Sequence, residues 1–331
     1  MKVLVTGASG FLGSHVAERL ATAGHDVRVL VRRTSNRKFL ETLPRARIEF
    51  AEGSVEDAAR VEEAVVGVDA IVHSAGVVKA LTAADFHTTN VQGTQNLLEA
   101  ARKLVRAGGA LRRFVQVSSL EASGPSRDGE PVSLAQEEPC TEYGRSKLAA
   151  EKACLALKDE LPITILRPTA IYGPRDNELL EAFRAVKRRV LPLTGDGTTK
   201  YTFVYGPDCA EACIRALDAE VPSGSIYFVA DGDVWEQRAS MMKIEDALDQ
   251  RALMRAGVPF GVMRAAAFFV EAYGKAAKKP VMLTREKVAM LENHFVCDAA
   301  ATRAALGWEP EVRWPEGTRL TAKWYLEHGW L

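Results

Sequence analysis

Apolar positions along the first half of the chain follow two alternating patterns. Short strand-like runs, rich in apolar and β-branched residues, are found at 2–6, 26–31, 48–51, 70–73, 113–117 and 164–166. Between them, apolar residues recur every three or four positions after Gly10 (Leu12, Val16, Leu20) and at 58–66, 89–106 and 143–157, the spacing of amphipathic helices. Regular strand–helix alternation predicts an α/β, Rossmann-type doubly wound fold: a parallel sheet of about seven strands, covered on both faces, with ligands at the strands' carboxyl ends. Past Arg167-Pro168 the alternation loosens. Helices are expected at 178–189 and 208–217, short strands at 201–204 and 225–229, and a turn at Thr194-Gly-Asp-Gly197. The predicted organisation is a sheet domain over 1–175 and a smaller α+β lobe over 176–331, with the helix near 208–217 and the strand near 225–230 returning to the sheet.

With 331 residues, 47% of them hydrophobic, the chain can bury a large core. Its 43 basic residues balance 43 acidic ones, which argues against a nucleic-acid partner; the one local basic cluster runs from Arg32-Arg33 to Arg37-Lys38. The first strand begins directly after Met1-Lys2, leaving no room there for a signal peptide, and no apolar stretch reaches the ~18–20 residues of a membrane span, so a cytoplasmic protein is expected. Five scattered cysteines form no C-x-x-C pair, and six histidines show no ligand spacing, so reduced thiols and no metal are expected. The most apolar segment, 259–279, is interrupted by Arg264 and Glu271. It leaves three readings: a buried helix, a lid over an apolar pocket, or a peripheral membrane contact near 259–274.

Two motifs carry candidate chemistry. Val3-Leu-Val-Thr-Gly7-Ala-Ser-Gly10-Phe-Leu-Gly13 takes a strand through glycines into a helix, the context of a dinucleotide-binding turn: bare backbone for a pyrophosphate and free N–H groups at a helix start. Tyr143-Gly-Arg-Ser-Lys147 sets a phenol and an ammonium on one helix face, downstream of Ser118-Ser119 at the end of an apolar run. A phenol titrating near ~10 is a poor acid or base at neutral pH, and an adjacent ammonium is expected to draw its pKa down.

Together with His73-Ser-Ala-Gly76, Asn90-Val-Gln-Gly-Thr-Gln-Asn-Leu-Leu98, Val117-Ser-Ser119 and Arg167-Pro-Thr-Ala-Ile-Tyr-Gly-Pro174, these motifs resemble the extended short-chain dehydrogenase/reductases, the NAD-dependent epimerase/dehydratase superfamily. The resemblance implies a seven-stranded Rossmann domain, a C-terminal substrate lobe and a catalytic Ser-Tyr-Lys set. It makes Tyr143 the general acid or base, while Lys147 holds the nicotinamide ribose and tunes the tyrosine. Ser119, five positions before Gly124, would hydrogen-bond the substrate oxygen, with Ser118 the lesser candidate. Gly7, Ser9, Gly10, Phe11, Leu12 and Gly13 would form the turn around the cofactor, with Ser54 and Val55 against its adenine. Ser74, Ala75 and Gly76 would line its riboses, and Pro168, Thr169 and Ala170 complete its contacts. His73 is either a packed structural imidazole or a cofactor contact, and Asn90 braces the neighbouring strand.

In this family an acid near the end of the second strand holds a ribose 2′-hydroxyl, whereas an arginine pairs with a 2′-phosphate. Arg32, assisted by Arg33 and Lys38 with no acid nearby, favours NADP over NAD. Tyr201 and Thr202 stand where sugar-nucleotide epimerases carry an arginine and an aspartate, and Glu121 alone follows the catalytic hydroxyl where dehydratases place two acids. The second strand and the C-terminal Glu309-Pro-Glu-Val and Trp324-Tyr-Leu-Glu-His-Gly-Trp330 resemble the branch of dihydroflavonol reductases and 3β-hydroxysteroid dehydrogenases. The expectation is a ketone reductase or secondary-alcohol dehydrogenase for a fairly apolar small molecule, lined by Val77, Val78, Lys79, Glu121, Ser123, Tyr172, Thr202 and Tyr205. A nucleotide-sugar epimerase or dehydratase is the alternative. A non-catalytic NADP-sensing module fits less well, since Ser119, Tyr143 and Lys147 are all intact. Family analogy also implies a homodimer through the helices beginning near Asn90 and Tyr143.

Overall fold

The computed structural model describes residues 1–277, 279, 281 and 283–331. In chain order its elements are β1 (Lys2–Thr6), α1 (Phe11–Thr22), β2 (Asp26–Val31), β3 (Ile48–Glu52), α2 (Ala58–Val65), β4 (Ala70–His73), α3 (Ala83–Phe86), α4 (Gly93–Arg106), β5 (Arg113–Val117), α5 (Glu142–Leu155), β6 (Ile163–Pro168), β7 (Ala170–Tyr172), α6 (Leu180–Lys187), β8 (Lys200–Tyr205), α7 (Gly206–Asp218), β9 (Ser225–Val229), β10 (Val234–Glu236), α8 (Gln237–Leu248), α9 (Phe260–Ala277), α10 (Arg285–Leu291), α11 (Ala300–Leu306) and α12 (Trp314–Glu327).

Seven strands form one parallel sheet in the order β3-β2-β1-β4-β5-β6-β9. β4, β5 and β6 are buried at every position, which is why apolar residues occupy both of their faces rather than alternating with polar ones, with Gln116, Thr164 and Arg167 among the buried polar exceptions. The order reverses between β1 and β4, and a ligand crevice opens at such a switch point, beyond the strands' carboxyl ends. After residue 175 the chain comes back twice: α7 packs against α1, and β9 pairs with β6. The lobe holds a second sheet, β10-β8-β7, with its own core of Tyr172, Phe183, Phe203, Trp314 and Tyr325. Trp314 stacks on Phe203 with ring centroids 3.9 Å apart.

Local signals start the helices that matter for the site. Asp57 caps α2 by accepting from the backbone N of Ala59 (3.1 Å) and Arg60 (3.2 Å). Thr141 caps α5 by accepting from the backbone N of Gly144 at 2.9 Å, which fixes Tyr143 in the helix's first turn. The 259–279 segment becomes α9, but not as a buried helix: Phe268, Phe269 and Tyr273 are 55%, 70% and 69% exposed.

Candidate active site

β1 ends at Thr6, and Gly7 turns the chain with φ +72°, a left-handed conformation that a side chain would strain. A Cβ on Gly7 would lie 2.7 Å from the Ala75 nitrogen, and one on Gly13 would lie 2.2 Å from the Gly7 carbonyl oxygen. Gly10 precedes α1 without any side-chain cap, so the first-turn N–H groups remain available to an anion. Bare backbone and an uncapped helix start fit a dinucleotide pyrophosphate. Across the switch point the Ser74 hydroxyl donates to the Thr6 carbonyl (2.8 Å) and the Ala75 N–H donates to Thr6 Oγ1 (3.3 Å).

His73 is fully buried, its Nδ1 2.7 Å from Thr6 Oγ1 and its Nε2 3.0 Å from Thr94 Oγ1. Burial pushes its pKa down to about 3, so the ring is neutral and ties β1, β4 and α4 together. Of its two sequence readings, the geometry gives the structural one. Asn90 lies in a single wide turn over His87–Gln92; its side chain pins Val77 N (2.8 Å) and Val77 O (3.0 Å) and donates to Ser146 Oγ (2.8 Å). It braces the loop after β4 against α5. At the other end of the crevice Arg32, Arg33 and Lys38 are exposed beyond β2, with no ion pair among the described residues. Ser54 is half-buried beside them, and the Val55 side chain packs where a Cβ on Gly93 would sit, 2.6 Å away.

α5 places Tyr143 and Lys147 on one face. Lys147 Nζ donates to the Val117 carbonyl at the end of β5 (3.0 Å) and lies 5.9 Å from the Tyr143 ring centroid. Burial lowers Lys147 to about 8, opposed by the Glu151 carboxylate. Burial also holds the Tyr143 phenol well above its ordinary value; Glu121 adds to the rise, and a hydrogen bond with Ser119 opposes it. The expected downward pull of Lys147 on the phenol is therefore overridden: desolvation is the larger effect, and the ammonium faces a carbonyl. Tyr143 is held as a protonated phenol. Ser119 accepts from the Glu121 N–H at 3.2 Å, while the Ser118 hydroxyl is committed to Glu151.

Glu151 escaped the sequence reading, although it lies one turn beyond Lys147 on the same helix face. It receives Arg167 Nε at 2.9 Å and Arg167 Nη2 at 2.6 Å, with both side chains 1% exposed. This ion pair forms the floor beneath the serine–tyrosine–lysine group.

A cavity of about 620 Å³ adjoins Ser119 and Tyr143. Val78, Lys79, Glu121 and Thr202 line it, together with Phe11, Pro168, Thr169 and Ala170. Four predicted substrate contacts lie elsewhere. Val77 is drawn by its backbone to Asn90, and the fully buried Ser123 accepts from Arg167 Nη1 at 2.9 Å. Tyr172 is 1% exposed against Trp314, where the lack of a side chain at Gly317 makes room for its hydroxyl. Tyr205 is buried in the lobe core beside Tyr172. In their place the structure supplies Leu81 and Phe86 from around α3 and Met290 and Phe295 from the C-terminal segment. Phe86 could have been inferred from its place after the β4 loop; the last two are distant in sequence from every motif. Lys79 is tied to Glu178, and no arginine is found among the described lining residues.

Residues 3–230 match the model of the NAD dependent epimerase/dehydratase family. Among curated relatives, a ceramide reductase of Caulobacter vibrioides is 30% identical over 337 residues, covering 99% of this chain and 96% of that protein. A 2-alkyl-3-oxoalkanoate reductase of Stenotrophomonas maltophilia is 34% identical over 248 residues, covering 70% and 71%. A solved dTDP-glucose 4,6-dehydratase from Streptomyces venezuelae with NAD bound superposes with a TM-score of 0.81 at 28% identity, covering 100% of this chain and 98% of that one.

Proposed function

This chain belongs to the NAD-dependent epimerase/dehydratase family, as an oxidoreductase of the extended short-chain type, and we propose that it is a reductase or dehydrogenase working on a ketone or secondary alcohol of a fairly apolar small molecule. One observation carries the reading: most of the surface the cavity presents is apolar, from side chains such as Val78, Leu81, Phe86, Met290 and Phe295, and although Lys79, Lys279 and Lys287 also line it, its described lining has no arginine. A nucleotide-sugar diphosphate calls for fixed cationic forks, and Lys79 is already paired with Glu178. The relatives named as reductases of ceramide and of 2-alkyl-3-oxoalkanoates support the same direction.

A nicotinamide dinucleotide would be held at its pyrophosphate by the first N–H groups of α1 and at a ribose by Lys147, and when bound it would supply hydride to a ketone or accept hydride from an alcohol. Ser119 hydrogen-bonds the substrate oxygen. The Tyr143 phenol, protonated at rest, gives its proton to that oxygen during reduction, and only its ionised form takes a proton back during oxidation. Lys147 stabilises the phenolate that reduction leaves, and Glu151 helps to keep Lys147 charged. NADP is the proposed form of the cofactor, with NAD the alternative, because the unpaired guanidinium groups of Arg32 and Arg33 suit a 2′-phosphate.

The test is nicotinamide fluorescence with NADPH and NADH side by side, across long-chain ketones, hydroxysteroid-like alcohols and nucleotide sugars. Stoichiometric NADPH consumption with a bulky apolar ketone is expected. Redox-neutral conversion of a UDP- or dTDP-sugar would overturn the reading in favour of an epimerase or dehydratase.

A further inference from the structure

α9 departs from the usual amphipathic arrangement, because it is apolar on its outer face as well as its inner one. Ala267 and Gly274 face inward and are buried. Val262, Phe269 and Tyr273, at helical positions i, i+7 and i+11, form an outward stripe and are 58%, 70% and 69% exposed. In the loop before the helix, Leu253 and Met254 are exposed as well, at 87% and 60%. The two described charges of α9 are drawn off the stripe: Arg264 pairs with Glu292, and Glu271 pairs with Arg285 at 2.9 Å.

The charge around this surface says what covers it. In a chain whose total charge balances, residues 251–287 carry eight lysines and arginines against two acids, Glu271 and Glu286; Asp246, Glu245 and Glu292 outside that stretch offset Arg251, Arg255 and Arg264, so the surplus comes from the lysines between 275 and 287. A second copy of this chain would be served by the apolar stripe but would meet the same excess of positive charge. An anionic lipid surface matches both features, since apolar side chains enter the boundary of headgroup and acyl chain while basic residues meet the headgroups. Among the described residues no helix is long and apolar enough to cross a membrane, so the contact is peripheral.

We propose that α9 docks on the surface of an anionic bilayer, with Val262, Phe269 and Tyr273 inserted and the flanking basic residues against the headgroups. The far part of the same helix, at Glu271 and Gly274, lines the cavity beside Tyr143, so docking sets that wall of the cavity close to the lipid. Delivery of an apolar substrate from the bilayer rests on the function proposed above; the docking does not.

Flotation of the full chain with vesicles tests the proposal without any turnover. The protein should float with phosphatidylcholine vesicles that contain phosphatidylglycerol, float much less with phosphatidylcholine alone, and be released by high salt. Phe269→Glu should lower the partition coefficient about tenfold or more, the scale of removing one buried aromatic side chain. Val262→Glu should act in the same direction. Neither residue lines the cavity, so NADPH titration by fluorescence should be unchanged in both variants. The proposal is overturned if the wild type stays with the soluble fraction at low salt, if both variants float like the wild type, or if light scattering shows the stripe holding a dimer that does not float. A protein that floats yet reduces no ketone would keep this inference and defeat the functional one.

Discussion

Glu151→Gln is the substitution that interrogates the floor of the site most directly, because it keeps the side chain's shape and removes only its charge. The Arg167 guanidinium is 1% exposed, so it would be left buried without its bidentate anion. Breaking such a buried pair from one side costs about 3–5 kcal/mol. Unfolding entropy for a chain of this length is about 0.7 kcal/mol/K, so the melting temperature in scanning calorimetry should fall by about 4–7 °C. Lys147 provides a second readout. It titrates at about 8 with Glu151 holding it up, so the variant's Lys147 moves lower and loses its charge at a lower pH. The alkaline limb of kcat/KM for ketone reduction should shift to lower pH with it. Replacing both partners, Glu151→Gln with Arg167→Met, should recover part of the drop in melting temperature, since no unpaired charge remains. A single variant that melts within about 1 °C of the wild type and keeps its alkaline limb would refute the reasoning.

Tyr143→Phe should bind NADPH nearly as the wild type does and fall about 10²–10⁴-fold in turnover, because only the proton-transfer group is removed; single-turnover kinetics checks this. Arg32→Ala with Arg33→Ala should weaken NADPH by about 1.5–3 kcal/mol for each charge-assisted hydrogen bond removed and leave NADH unchanged by calorimetry; a wild type that prefers NADH defeats the NADP assignment. His73 ordinarily titrates at 6.5 and here at about 3, so its contribution to stability is complete above 6.5 and disappears as pH falls toward 3. That decrease is about 4–5 kcal/mol. His73→Gln should be less stable at neutral pH in urea unfolding but more resistant to acidification.

The parts of this fold legible in the sequence are those decided by neighbours in the chain. The central strands are buried on both sides, so apolar residues dominate both of their faces, and the glycines of the first turn declare themselves because backbone, rather than side chains, builds that cradle. β7 and β10 span three residues each, too few for any periodicity to show. Tyr172 has the sequence position of a pocket residue, just after β6, yet Gly317 and Trp314, well over a hundred positions later, make the space that buries it. Ser123 is claimed in the same way by Arg167. Side-chain partners at that separation leave no mark on local spacing.

The sign of the Tyr143 shift has the same origin. Spacing along α5 correctly puts a cation near the phenol, and a pairwise argument then lowers its pKa, but the Lys147 ammonium is turned to Val117 and is itself desolvated toward neutrality. Burial is the sum of every wall of the cavity, including Phe86, whose ring centroid is 6.3 Å from that of Tyr143 and which no motif announces. The phenol is accordingly kept protonated, with Glu121 reinforcing the effect and Ser119 opposing it. A protonated phenol is ready to donate to a carbonyl oxygen as hydride arrives, whereas alcohol oxidation must ionise it first in a site that disfavours the anion. On the proposed function, the walls that would take an apolar substrate are also what keeps the phenol in its proton-donating form.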